Sequence, residues 1–208
     1  MTKKNITLIR HAESQANAGS ITLTPKSIEL TERGHQQAQS LAASLKITPA
    51  LIVVSPYVRT QQTAQPTIEK FPEALVEQWP VQEFTYLSPV RCRNTSMEQR
   101  TPWAAEYWEK ADPHYRDGDG AESFAEFLGR IQDFTARLSS KTESPMLVFT
   151  HQIFIAGCLW LRSHANAEPI GGMREFRAYL LENVIPNVGM VRWQLQLTRN
   201  HPGNTGRT

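Results

Sequence analysis

The chain has 208 residues, 40% of them hydrophobic and 20% charged, the composition of an ordinary globular protein long enough for a substantial core. Its formal net charge of +2 is too small to argue for nucleic acid or an anionic membrane as a partner. No apolar run approaches the roughly 20 residues of a spanning helix, and Arg10 and Glu13 interrupt the first apolar stretch too early for a secretory signal. A cytoplasmic protein is expected, with Cys158, set among apolar residues, as a buried free thiol.

The first element is the most informative. Ile6-Thr7-Leu8-Ile9 reads as a buried strand and ends on Arg10-His11. Ligands of open α/β sheets bind just beyond the carboxyl ends of strands, so a strand delivering a cation and an imidazole marks a site. A polar, turn-rich stretch over 12–30 leads to Thr31, a plausible N-cap, and to a helix reaching Leu45 with Ala38, Leu41, Ala42 and Leu45 on one face. A strand over Ala50–Val54 stops at Ser55-Pro56; a helix from about Val58 to Lys70 and a short strand near Ala74 to Glu77 follow.

Residues 85–122 are the least regular, with prolines at 89, 102 and 113 and a short helix through Trp103–Trp108. Phe124, Phe127, Leu128, Ile131, Phe134 and Leu138 then give a strong amphipathic helix from Glu122 to about Ser140. Strand 146–150 is a second apolar run capped by a histidine, His151, and feeds helix 152–163. The sequence 188–197 alternates from Val191 onward like an edge strand, and 199–208 reads as a flexible tail. No repeat or linker divides residues 1–198, so one domain is expected. Strands alternating with helices predict an α/β three-layer sandwich, a mainly parallel central sheet with helices on both faces.

Two strands that each bring a histidine to one sheet edge suggest phosphoryl chemistry. A metal-free site needs a nucleophile that is neutral near pH 7, and an imidazole with an ordinary pKa of about 6.5 qualifies. Arginine forks neutralise the phosphate, and a positioned acid protonates the leaving oxygen. Arg10, His11, His151 and Arg59 supply most of this set, and Glu83 follows the next strand near the same rim. His35 and His114 lack such context and read as surface residues.

Arg10-His11-Ala12-Glu13-Ser14 with Asn17 resembles the signature of the histidine phosphatase superfamily, the phosphoglycerate mutase-like proteins. Four further stretches agree in order: Leu30-Thr31-Glu32-Arg33-Gly34; Ser55-Pro56 through Arg59 to Thr63-Ala64; Glu122-Ser123 with Arg130; and Thr150-His151. The likeness runs from about residue 5 to 195. It implies a phosphoglycerate mutase-like fold and a phosphohistidine formed on His11. Arg10, Arg59 and His151 would complete the phosphate pocket, Asn17 would add a contact, and Glu83 would be the general acid. Two guanidiniums and a partly charged second imidazole would stabilise the transition-state charge. The scheme calls for no metal and no other cofactor.

The chain departs from the family at Ala12, where glycine is common, and at Gln152, a long amide that could narrow the pocket or touch substrate. Tyr86, three residues past Glu83, partly echoes the glycolytic mutases, but the segment after Glu83 does not match their substrate-binding region. A phosphatase is therefore expected, that is, a metal-independent phosphomonoesterase of the histidine acid type. A phosphomutase and a catalytically weak phosphate- or phosphoprotein-binding module are the alternatives. Expected partners are a small phosphorylated substrate or a phosphohistidine protein, and the chain would be a monomer or homodimer. Arg91, Arg93 and Arg100, with Tyr86, Trp103 and Trp108, read equally as a specificity cap for an anionic substrate and as an ordinary basic surface.

Overall fold

The structure, a computed structural model, describes residues 4–164 and 169–193. Its elements in chain order are β1 (Ile6–Arg10), α1 (Glu32–Ser44), β2 (Leu51–Val54), α2 (Val58–Lys70), β3 (Leu75–Gln78), α3 (Met97–Lys110), α4 (Phe124–Ser140), β4 (Met146–Thr150), α5 (Gln152–Ser163), α6 (Pro169–Glu182) and β5 (Met190–Trp193). The five strands form one sheet in the order β3-β2-β4-β1-β5. All pairs are parallel except β5, which runs antiparallel on β1.

Side-chain alternation along the strands builds two cores. Ile6 and Leu8, Leu51 and Val53, and Met146 and Val148 point to one face, where α4, α5, α6 and the end of α3 cover them with Phe127, Ile131, Phe154, Phe176 and Trp108. Ile9, Ile52, Val54, Leu147 and Phe149 point to the other, under Leu41 of α1 and Ala64 of α2. β4 is therefore buried at every position, as a central parallel strand covered on both faces must be. The predicted three-layer sandwich is the observed architecture.

Close approaches explain two glycines. A Cβ on Gly34 would collide with the Glu13 carbonyl oxygen, where the loop after β1 crosses the first turn of α1. A Cβ on Gly157 would collide with Ile131 and Phe127, where α5 lies against α4.

The elements differ from expectation in three places. The short helix at Trp103–Trp108 is the second half of a 14-residue helix that starts at a capping box, Ser96 with Gln99. Pro102 removes one helical hydrogen bond but does not stop it. α6 has no counterpart in the expected elements; it starts at Pro169, and proline is tolerated in a first turn, while Met173, Phe176 and Leu180 bury one face. The terminal strand occupies 190–193, after a turn at 187–188; residues 194–197 of the expected strand and the expected tail lie outside the described residues. No helix among the described residues is long and apolar enough to cross a membrane.

Candidate active site

Strand register decides where the site residues meet. Arg10 of β1 is level with Thr150 of β4, and Val54 of β2 is level with Phe149. His11, His151 and Ser55 thus leave the same sheet edge side by side. The ladder continues one step beyond the strands, from His11 N to Thr150 O at 2.9 Å and from Ser55 N to Phe149 O at 3.1 Å. β4 lies between β1 and β2, which puts the crevice of the sheet here.

His11 is 4% exposed. Its Nδ1 lies 2.7 Å from the Ala12 carbonyl oxygen, which can only accept, so the proton sits on Nδ1 and the lone pair on Nε2. Arg59 Nε donates to that Nε2 at 3.2 Å. The same guanidinium donates from Nη2 to His151 Nδ1 at 3.1 Å and from Nη1 to the Pro25 carbonyl at 2.6 Å. With Nδ1 accepting, His151 carries its proton on Nε2 and donates to Ser55 Oγ at 2.8 Å. The two imidazole centroids are 5.2 Å apart.

Burial, then the charge of Arg59, holds both imidazoles well below their ordinary pKa. Both are neutral near pH 7, which corrects the expectation of a partly charged His151: burial and a guanidinium at hydrogen-bond distance both oppose a second cation. Arg59 itself is pushed down to about 10, chiefly by burial, and stays charged. Arg10 is also lowered by burial; its Nη1 donates to the Ile185 carbonyl at 2.5 Å, and its buried Nε has no partner among the described residues.

Glu83 lies at the N-terminus of α5. Its Oε1 accepts from the backbone N–H of Ile153 at 3.0 Å, Phe154 at 3.2 Å and Phe84 at 3.1 Å. Burial raises its pKa against these bonds and against Arg59 and Arg10. It keeps a partly open face on a cavity of about 490 Å³ that Arg10, His11, Arg59, Asn17 and Gln152 also line.

A model of the histidine phosphatase superfamily (branch 1) matches residues 6–200. The chain belongs to the histidine phosphatase superfamily. It is a phosphatase of that superfamily, a phosphoric monoester hydrolase. It is 30% identical over 158 residues to the adenosylcobalamin/α-ribazole phosphatase of Escherichia coli K12, covering 70% of this chain and 72% of that one. Two crystal structures share the fold: a mycobacterial glucosyl-3-phosphoglycerate phosphatase with VO3 (22% identity, 91% and 90% of the chains, TM-score 0.67) and the α-ribazole phosphatase of Shigella flexneri (23%, 89% and 88%, TM-score 0.66).

Other superfamily motif residues hold the site rather than line it. Glu13 accepts from Thr31 Oγ1 at 2.8 Å and pairs with Arg33, which ties the His11 loop to the cap of α1. Arg130 grips Glu122 through two bonds of 2.7 Å and donates to the Pro80 and Gln82 carbonyls at 3.1 and 2.8 Å. Thr150 Oγ1 donates to the Val81 carbonyl at 2.5 Å. These bonds fix the segment that carries Glu83.

Two of the expected contact residues also brace the site. Asn17 lines the cavity; its Oδ1 accepts from Ser14 N and Oγ at 3.2 and 3.0 Å and from Asn187 Nδ2 at 3.2 Å, bonds that engage the acceptor oxygen and not the Nδ2–H donors a phosphate would take. Gln152 Oε1 accepts from Ile185 N at 2.9 Å, so its amide chiefly holds the segment before β5. Tyr86 lines the cavity as expected. Of the middle-segment arginines, Arg91 is paired with Asp117 at 2.7 Å and stacked on Trp103. Arg93 is exposed. Arg100 lines the cavity while its Nε and Nη2 bind Thr22, Cys92 and Thr95.

Sequence reasoning missed Tyr57, Asn187 and Arg177. Tyr57 sets its ring edge-on to His151 at 5.2 Å and bonds Thr85 Oγ1 at 3.0 Å. Asn187 Nδ2 donates to the His11 carbonyl at 3.0 Å. Arg177, on the unforeseen α6, lines the cavity. Tyr57 follows Ser55-Pro56 directly and was within reach of the motif; the other two carried no signal.

Proposed function

We propose that this phosphatase works through a phosphohistidine on His11, with Glu83 as general acid and base. The observation that carries the reading is the tautomer of His11. Its Nδ1–H is committed to the Ala12 carbonyl, which directs the Nε2 lone pair to the cavity beside Arg59. In the first step Nε2 attacks phosphorus, the P–O ester bond breaks, and Glu83 gives its proton to the departing alkoxide. In the second, water attacks the phosphohistidine, Glu83 takes the proton of that water, and inorganic phosphate leaves with His11 regenerated.

The electrostatics support these assignments. A neutral His11 can attack, and a carboxyl with a raised pKa can donate. Arg59 and Arg10 keep their charges beside the phosphoryl group, where fixed donors in a water-poor site stabilise a loose transition state. His151 Nδ1 faces the same place, so an incoming dianion would draw a proton onto it.

The substrate is a small phosphate monoester. The relatives named above carry the names of α-ribazole phosphate and glucosyl-3-phosphoglycerate phosphatases, two alcohols of different chemistry, so the alcohol taken here is read from this chain's own cavity. The test is hydrolysis of an aryl phosphate by wild type and His11→Ala in excess chelator. Turnover by wild type alone supports the reading; full activity in His11→Ala overturns it.

A further inference from the structure

Beyond the phosphate pocket the cavity changes character. Its walls there are Ile28, Tyr86, Leu87, Met97, Ala104 and Ala105, contributed by the loop after β1, the segment after Glu83 and α3. Apolar walls of this kind, with Thr101 and Arg100 among them, hold an apolar body better than the many hydroxyls of a free sugar.

Charge narrows the choice further. Among the described residues Glu83 is the only carboxylate lining the cavity, against Arg10, Arg59, Arg100 and Arg177. A leaving group bearing an ammonium would meet cations with no acid to receive it. Arg100 spends its bonds on neutral oxygens, and no ion pair among the described residues involves Arg100 or Arg177.

Arg177 is placed by a chain of aromatic rings. Its guanidinium lies over the Trp108 ring at 5.3 Å, Trp108 contacts Tyr86 at 5.5 Å, and Tyr86 contacts Phe84, the neighbour of Glu83, at 5.5 Å. The Tyr86 hydroxyl feels the charges of both Arg177 and Glu83. An alcohol protonated by Glu83 would therefore run along Tyr86 toward Arg177.

We propose that Arg177 is a specificity residue that recognises an anionic group at the far end of an apolar, ring-sized alcohol, so that the preferred substrate is a phosphate monoester carrying a second anion. This rests on the reading of the phosphate pocket given above. A guanidinium placed over an indole ring keeps its planar fork of donors, which suits a carboxylate or a phosphate. Leaving such a cation unpaired in a partly desolvated cavity would penalise a substrate without the anion.

The test compares naphthyl phosphate, carboxynaphthyl phosphate and a naphthalenediol bisphosphate as substrates of wild type, Arg177→Met and Arg177→Lys. Wild type should prefer one or both anion-ended esters over naphthyl phosphate by about tenfold or more in kcat/KM, chiefly through KM. The larger of the two preferences tells carboxylate from phosphate. Arg177→Met should erase the preference and Arg177→Lys keep part of it. Absence of a preference in wild type, or Arg177→Met slowing all three esters by the same factor, would overturn the role of Arg177. Turnover of the three esters that persists in His11→Ala would instead overturn the phosphohistidine reading, and this inference with it.

Discussion

Arg59 Nε donates to the very atom of His11, Nε2 at 3.2 Å, that carries the free lone pair. The contact does two things at once. It helps hold the imidazole neutral, and it keeps a permanent cation where the phosphoryl oxygens arrive. An approaching phosphate must take over this hydrogen bond, which draws the guanidinium from nucleophile to substrate.

Arg59→Lys should therefore be severe despite conserving charge. A lysine cannot serve His11, His151 and the Pro25 carbonyl from one rigid fork. We expect kcat/KM for an aryl phosphate to fall about 100-fold or more, on the order of 3 kcal/mol of transition-state stabilisation. Steady-state kinetics of folded variant protein check this; a loss under about threefold would contradict it.

Glu83→Gln separates acid catalysis from binding. The amide cannot protonate an alkoxide, so esters of ordinary alcohols should slow by about 10² to 10⁴. Nitrophenyl phosphate, whose leaving group departs without a proton, should lose far less. Equal losses on both substrates would show that Glu83 acts through structure alone.

The buried imidazoles also set how stability varies with pH. His11 and His151 lie well below their ordinary pKa in the fold and return to about 6.5 when unfolded. Below that value the unfolded chain binds the extra protons, so stability falls as pH drops through about 6.5 toward the folded-state values. Glu83, raised in the fold, works the other way: its fold-favouring proton is gained as pH falls toward the ordinary carboxylate range. Urea midpoints at about pH 7.5 and about pH 5 should show an acid loss that His11→Ala reduces and Glu83→Gln deepens. An acid loss that neither variant alters would contradict this.

The loop carrying His11 depends on a residue with no side chain. Gly34→Ala puts a methyl into the Glu13 carbonyl oxygen, and the loop or the start of α1 must move. We expect a destabilisation of about 1–3 kcal/mol, in the range of overpacking, with a lower kcat than the wild type in protein that remains folded. A urea midpoint equal to that of wild type would rule this out.

The sequence made the sheet edge legible because β1 and β4 are short apolar runs, each ending on the residue that does chemistry. Parallel register then places His11 and His151 side by side, with no information needed from the loops. Arg59 was legible through its motif. The middle segment was not, because Pro102 weighs against a helix and the Ser96–Gln99 capping box that starts α3 is not followed by a regular apolar stripe. Of the arginines in the irregular segment, Arg91 is neutralised by Asp117 and Arg100 lines the cavity, while Arg177 reaches the cavity from α6, a helix that has no counterpart among the expected elements. Asn187 reaches the His11 carbonyl from beside β5, a long-range contact that no local pattern encodes.

The most direct measurement is of the covalent intermediate. Wild-type enzyme and His11→Ala would be mixed with phosphorus-labelled aryl phosphate in excess chelator, quenched within one turnover, and mapped by peptide mass spectrometry. Wild type should carry an acid-labile, alkali-stable phosphoryl group on His11, bound through Nε2, and the variant none. Turnover by wild type with no label on His11, or label on another residue that also forms in His11→Ala, would contradict it.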